Sequence, residues 1–185
     1  MRKNFGVKPW TYPQPVFIIG SYDENGSADA MNAAWCGISN SNQIAMCLSA
    51  GHKTVKNILT KKDFTVSMAT VNYVTECDYL GIASANDVPD KLEKCGLHTT
   101  KAENVDAPLI EELPMAVECR LVSYDEDTGL MLGEIINVSA DESILTEGKI
   151  DPGKLNPITF DSVNNTYVKL GEVVGNAFQD GKKIK

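Results

Sequence analysis

The sequence predicts a mainly β (α+β) chain, a largely antiparallel barrel with helical additions. Three observations predict it. Five to seven short apolar runs are bounded by turn signals. Helical periodicity is confined to brief stretches. No internal repeat or linker interrupts the 185 residues, a length that suits one domain with a full core. The expected organisation is a single domain, residues 1–185, with an arm over 1–14 and a tail over 179–185.

Taken in order, residues 1–15 read as an irregular arm punctuated by Pro9, Pro13 and Pro15, with Trp10 and Tyr12 available to anchor it. Residues 15–22, PVFIIGSY, form a buried strand. Asn25-Gly26 is the favoured hairpin dipeptide, and the chain returns through residues 28–39, turns at Asn40-Ser-Asn42, and goes back through 44–49 as a three-strand meander. Val55, Ile58 and Leu59 share a helix face, so a helix spans 54–62. Phe64, Val66 and Met68 alternate with smaller residues along a further strand. Thr75-Glu-Cys-Asp78 matches a capping box with Asp in the last place, and Val74 and Tyr79 stand at staple positions, opening a helix over about 76–83. Asp87-Val-Pro-Asp opens a short helix that Gly96 closes. Residues 98–114 read as irregular. Residues 116–124 and 130–139 form a β-hairpin. A polar loop that can hold late helical turns follows over 141–157, then short strands at 158–160 and 167–170, and a frayed end from Gly181.

The net charge of −8 argues against general nucleic-acid binding, which depends on Lys and Arg neutralising phosphates. The N-terminal stretch lacks an apolar signal region and no apolar run approaches a membrane span, so a cytoplasmic protein is expected. The five cysteines are odd in number and contain no CxxC pair, which reads as free, mostly buried thiols. With two histidines and no Cys/His cluster, no metal site is expected.

The stretch Gly51-His52-Lys53-Thr54 runs directly into the helix. It offers a cation, a hydroxyl and the free amides of a helix start, a combination that suits a phosphate. The alternative is that Thr54 caps the helix and Lys53 is solvated. It is not a Walker loop, because GxxxxGK[ST] is absent, and no GxGxxG follows any strand.

The ordered series PVFIIGSYDENG, MNAAWCG, LSAGHKTVKNI and DFTVSMAT resembles the flavin reductase-like, FMN-binding split-barrel family. The later segments KCGLHTTKAENVDAPLIEELPMAVECRL and TYVKLGEVVGNAF are similar to its flavoredoxin branch. The resemblance runs from about Pro15 to about Phe178. It implies a six-stranded Greek-key split barrel with added helices, and a homodimer with FMN at its interface. It implies that Asn32, Ala33, Ala34, Trp35 and Cys36 lie along the flavin ring and ribityl chain. Ser49 and Ala50 would come next, and Lys53 with Thr54 would hold the phosphate. Small side chains let backbone approach a planar ring, whereas Trp35 either covers the cofactor or packs in the core. Ala34 stands where relatives often carry Ser.

Many NAD(P)H:flavin reductases of the family carry Gly-Asp-His in the second hairpin; here the segment is Thr128-Gly-Leu-Met-Leu-Gly133. His52 and His98 read as polar surface. The implied function is an FMN-dependent oxidoreductase, with NADH, NADPH or a redox partner protein as electron donor and no catalytic side chain. The rival is a flavoredoxin-type electron carrier with no small-molecule substrate.

Overall fold

The computed structural model describes residues 1–184. The first half supplies β1 (Phe17–Tyr22), β2 (Ala28–Ala33), β3 (Cys36–Asn40), β4 (Gln43–Cys47), helix α1 (Lys53–Lys61), β5 (Asp63–Met68), helix α2 (Val74–Ile82) and helix α3 (Lys91–Lys94). Then come β6 (Thr99–Lys101), β7 (Pro108–Ile110), β8 (Met115–Asp125) and β9 (Leu130–Ala140). Last are β10 (Leu145–Thr146), β11 (Lys149–Ile150), helix α4 (Pro152–Leu155), β12 (Ile158–Asp161) and β13 (Thr166–Lys169).

Seven strands pair in one antiparallel sheet, ordered β2-β1-β5-β8-β9-β4-β3. The two end strands, β2 and β3, are consecutive in the chain. Ala34 and Trp35 therefore carry the backbone across the open seam of a barrel. Residues 28–39, expected as one strand, are two half-strands on opposite edges. Counted as one interrupted strand, they leave a ring of six in Greek-key order, the split barrel. Gly26 turns the first hairpin at φ +83°, and the Asp23 carboxylate accepts from the amides of Asn25 and Ser27, both at 2.9 Å.

Strand β1 is buried on both faces because its side chains alternate between two cores. Phe17 and Ile19 point into the barrel with Ile44, Met46, Phe64, Val66 and Met131, and α1 adds Val55 and Ile58. Ile18 points outward with Ala30, into a second core closed by Cys77 and Leu80 of α2 and by Leu92 and Leu97. Helix α2 is thus pinned over the outer face of β1 and β2.

Three local expectations need correction. The capping box does not form: a 3-10 turn at Val71–Tyr73 leads straight into α2, whose N-cap is Tyr73 without a side-chain bond. Residues 98–114 are not irregular; β6 and β7 form a ribbon. Its Pro108 carbonyl accepts from the Thr65 hydroxyl at 2.5 Å and crosses so close to Gly20 that a Cβ there would lie 2.8 Å away. The frayed tail instead begins with a 3-10 turn at Asp180–Lys183, with Lys183 paired to Asp180 at 2.8 Å; Lys185 lies outside the described residues. At the other end Tyr12 anchors the arm as expected, its hydroxyl donating to Asp161 of β12. No helix among the described residues is long and apolar enough to cross a membrane.

Candidate functional site

Two adjoining cavities open beside the barrel seam, sharing Met31, Asn32, His52, Gly81 and Ile82 as a common wall. The first, about 340 Å³, is largely apolar. Asn32 and Ala33 from the end of β2, with Ala34 and Trp35 from the seam, form one side; Asp78, Gly81 and Ile82 of α2 form another. Phe160 of β12 and Tyr167 of β13 complete it. Trp35 is half exposed and leans on Phe160 with ring centroids 6.4 Å apart; Phe160 leans on Tyr167 at 6.0 Å. Trp35 is therefore cavity wall and not core. Gly81 permits α2 to lie flat on β2: a Cβ there would sit 3.2 Å from Asn32 Cβ. Asn32 is fixed by the same contact, its Nδ2 donating to the Cys77 carbonyl at 2.9 Å.

Polar groups in this cavity are few and directed. The Tyr167 hydroxyl donates to Asp78 Oδ1 at 2.7 Å. Burial, reinforced by that carboxylate, pushes the phenol up to about 12, so Tyr167 stays a neutral donor.

The second cavity, about 290 Å³, lies at the start of α1. His52 is the N-cap and makes no side-chain cap bond, and the first turn carries no acidic residue. The first amides of α1 thus lack intrahelical acceptors and face outward with the positive end of the helix dipole. Thr54 does not cap the helix. Its hydroxyl is buried and donates to Asp29 Oδ2 at 2.5 Å. Lys91, only 3% exposed, places Nζ 3.2 Å from Asp29 Oδ1 and donates to the Ala83 carbonyl at 3.0 Å. Lys53 is about a third exposed, with Nζ 3.6 Å from Asp23 Oδ2. The chain thus holds two ammonium groups and a helix start at one end of the trough. Aromatic and aliphatic side chains line the other.

Of the residues marked in the sequence, Asn32, Ala33, Ala34 and Trp35 line the first cavity, and Lys53 and Thr54 line the second. Cys36, Ser49 and Ala50 line neither. Cys36 packs against the barrel core, where burial raises its thiol to about 12. The thiol on the trough is Cys47, exposed in the structure where the cysteines were expected to be mostly buried. Strand β4 explains the difference: its residues alternate faces, so Met46 points into the barrel and Cys47 out of it. His52, expected as plain surface, lines both cavities, whereas His98 is an exposed partner of Glu112 at 2.6 Å. Sequence reasoning missed Asp78, Lys91, Phe160 and Tyr167. Lys91 lies in the charged run Lys91-Leu-Glu-Lys94 of the expected short helix, where nothing local marks it as buried; its burial depends on Asp29, 62 positions away.

The seam, the pinned helix and the two-part trough define a flavin reductase-like domain, and residues 10–159 match the family described as flavin reductase like domain. The chain belongs to that family, in its flavoredoxin branch. The flavoredoxin of Desulfovibrio vulgaris (Miyazaki F) is 38% identical, superposes with a TM-score of 0.94, and aligns over 98% of this chain and 100% of its own. The flavoredoxin of Methanosarcina acetivorans is 28% identical at a TM-score of 0.87, over 100% and 98% of the two chains. A flavin reductase-like enzyme of Shewanella baltica OS155, described as an FMN-binding domain, shares the fold at 20% identity and a TM-score of 0.79, over 88% and 89%.

Proposed function

We propose that this chain is an FMN-binding oxidoreductase that passes electrons through the bound flavin. One observation carries the reading: a ring-sized apolar cavity continues into a polar cavity at a helix start. The donor set fits the group. The amides at the start of α1, with Lys53, suit a phosphate monoester, and Lys91 neutralises the Asp29 carboxylate that would otherwise repel it. Ala33, Ala34 and Gly81 keep side-chain bulk low beside the ring, and Trp35 and Phe160 offer aromatic surface. FMN, when bound, supplies the hydride or electron chemistry. The protein's part is to hold the phosphate and cover the ring.

The acting unit is proposed as a homodimer. Trp35 (52% exposed) at the seam and Ile38 (71%) on β3 stand outward, an apolar edge that a second copy would cover. Sedimentation of the FMN-loaded protein as a 20.1 kDa monomer would contradict this.

The electron donor divides two readings, NAD(P)H or a protein partner. The hairpin segment 128–133 contains no histidine, and the 38% identical relative is a flavoredoxin. Both support a carrier fed by a redox partner protein, with direct NADH or NADPH reduction slow. Stopped-flow mixing of each nucleotide with the FMN-loaded protein tests this. Slow bleaching by both, with fast bleaching by dithionite, is expected. Bleaching at tens per second at low-micromolar nucleotide would instead establish an NAD(P)H:flavin reductase.

A further inference from the structure

Asp78 is the one carboxylate lining the first cavity. Among the described residues it has no ion-pair partner. Its Oδ1 is fixed by the Tyr167 hydroxyl at 2.7 Å, and its Oδ2 takes no side-chain hydrogen bond. The other titratable side chains facing this cavity are Cys47, His52 and Tyr167. The nearest lysines line the neighbouring cavity, and there Lys91 is matched by Asp29. The trough is therefore polarised, with a helix start and two paired lysines at the α1 end and an unpaired carboxylate at the ring end.

We infer that Asp78, held in place by Tyr167, lowers the redox potential of the flavin ring that occupies this cavity. The inference rests on the FMN reading above. Two-electron reduction takes up two electrons from the external donor and one proton from solvent, and leaves one negative charge on a ring that was uncharged. Asp78 repels that charge and is nearly indifferent to the oxidised ring. The apolar side chains of Trp35, Phe160 and Ile82 line the cavity beside Asp78, so part of the repulsion acts across non-polar matter and not through water alone. Tyr167 remains a neutral phenol, so its hydrogen bond orients the carboxylate without cancelling its charge. By the thermodynamic cycle, weaker binding of the reduced than of the oxidised cofactor appears directly as a lower midpoint potential. For a two-electron couple, tenfold in that affinity ratio is about 30 mV. A protein so built would deliver electrons to acceptors of low potential and would itself need a strongly reducing donor.

The test is a spectroelectrochemical titration of the FMN-loaded full chain at neutral pH, with dithionite as reductant, for wild type, D78N, D78E and Y167F. The dissociation constant of oxidised FMN is measured for each in parallel. Asn keeps the shape of Asp78 and its acceptor for Tyr167 while removing the charge. D78N is expected to raise the midpoint by about 30 mV, a tenfold gain in affinity for reduced over oxidised FMN, with oxidised FMN bound as in wild type. D78E is expected near wild type, and Y167F is expected not to raise the potential. An unchanged or lower potential in D78N overturns the inference while leaving FMN binding intact. Loss of oxidised FMN from D78N also overturns it, by making Asp78 a residue that holds the cofactor. Failure of the wild-type protein to hold FMN would instead contradict the FMN reading itself.

Discussion

At the scale of single residues, Thr54 and Lys91 change what the α1 loop means. The sequence left Thr54 either a helix cap or a phosphate contact; the structure turns its hydroxyl to the buried Asp29, which Lys91 neutralises. That cluster joins α1, β2 and α3 beneath the second cavity. Lys91→Ala would strand the Asp29 charge in the interior, and we expect a loss of about 3–5 kcal/mol in urea unfolding. The double variant D29N/K91M, which removes both charges and keeps the side-chain volumes, should recover most of it. Tyr12 and Asp161 give a pH-dependent residue-scale effect. The Tyr12 hydroxyl, then Asn164, holds the Asp161 carboxyl at about 2, below its ordinary 3.8. The depressed value means the contact stabilises the fold fully above pH 3.8 and is lost as the pH falls through about 2. The unfolding midpoints of wild type and Tyr12→Phe should therefore differ near neutral pH and converge in acid; a constant difference down to pH 2 would sink the assignment. Among thiols, burial holds Cys36, Cys77 and Cys119 up at about 12, while Cys47 is exposed on the trough. A thiol reagent should modify Cys47 first, FMN should protect it, and Cys36→Ser should leave flavin binding unchanged.

At the scale of elements, the alternating strands, the helix that follows Gly51-His52 and the long β8–β9 hairpin were legible because each depends on local periodicity or turn chemistry. The break at Ala34-Trp35 was not. The run through residues 28–39 reads as one strand, and only the ring closure of the sheet forces it across the seam. Asp78 was misread for a similar reason: a Thr-x-x-Asp spacing looks like a cap, yet the preceding 3-10 turn moves the helix start and frees Asp78 for Tyr167. Close packing within the barrel is testable at Gly133 of β9. A Cβ there would overlap Cζ of Phe64 and lie 3.0 Å from its Cε1, in a ring with no exposure and no room to retreat. Gly133→Ala should destabilise the protein by about 1–3 kcal/mol in denaturant unfolding, with the flavin absorbance of the folded fraction retained. A neutral outcome would mean that the barrel interior is looser than its geometry indicates.

At the scale of the whole molecule, the ordered series of segments carried the family resemblance, and the fold and family follow it. The trough itself could be only half read. Its β2 and α1 sides are contiguous stretches, whereas Phe160 and Tyr167 arrive from a hairpin roughly a hundred residues later. The central claim is that the α1 end of this trough holds the phosphate of FMN. Titration of the apo-protein with FMN and with riboflavin, for wild type and Lys53→Ala, tests it most directly. Charge-assisted hydrogen bonds to the phosphate should make FMN bind wild type roughly 10- to 100-fold tighter than riboflavin. Because Lys53 is a third exposed and already near Asp23, its removal should cost FMN about 1–1.5 kcal/mol and leave riboflavin binding unaltered. Equal affinity of the wild-type protein for the two flavins, or equal losses for both in Lys53→Ala, would contradict the account.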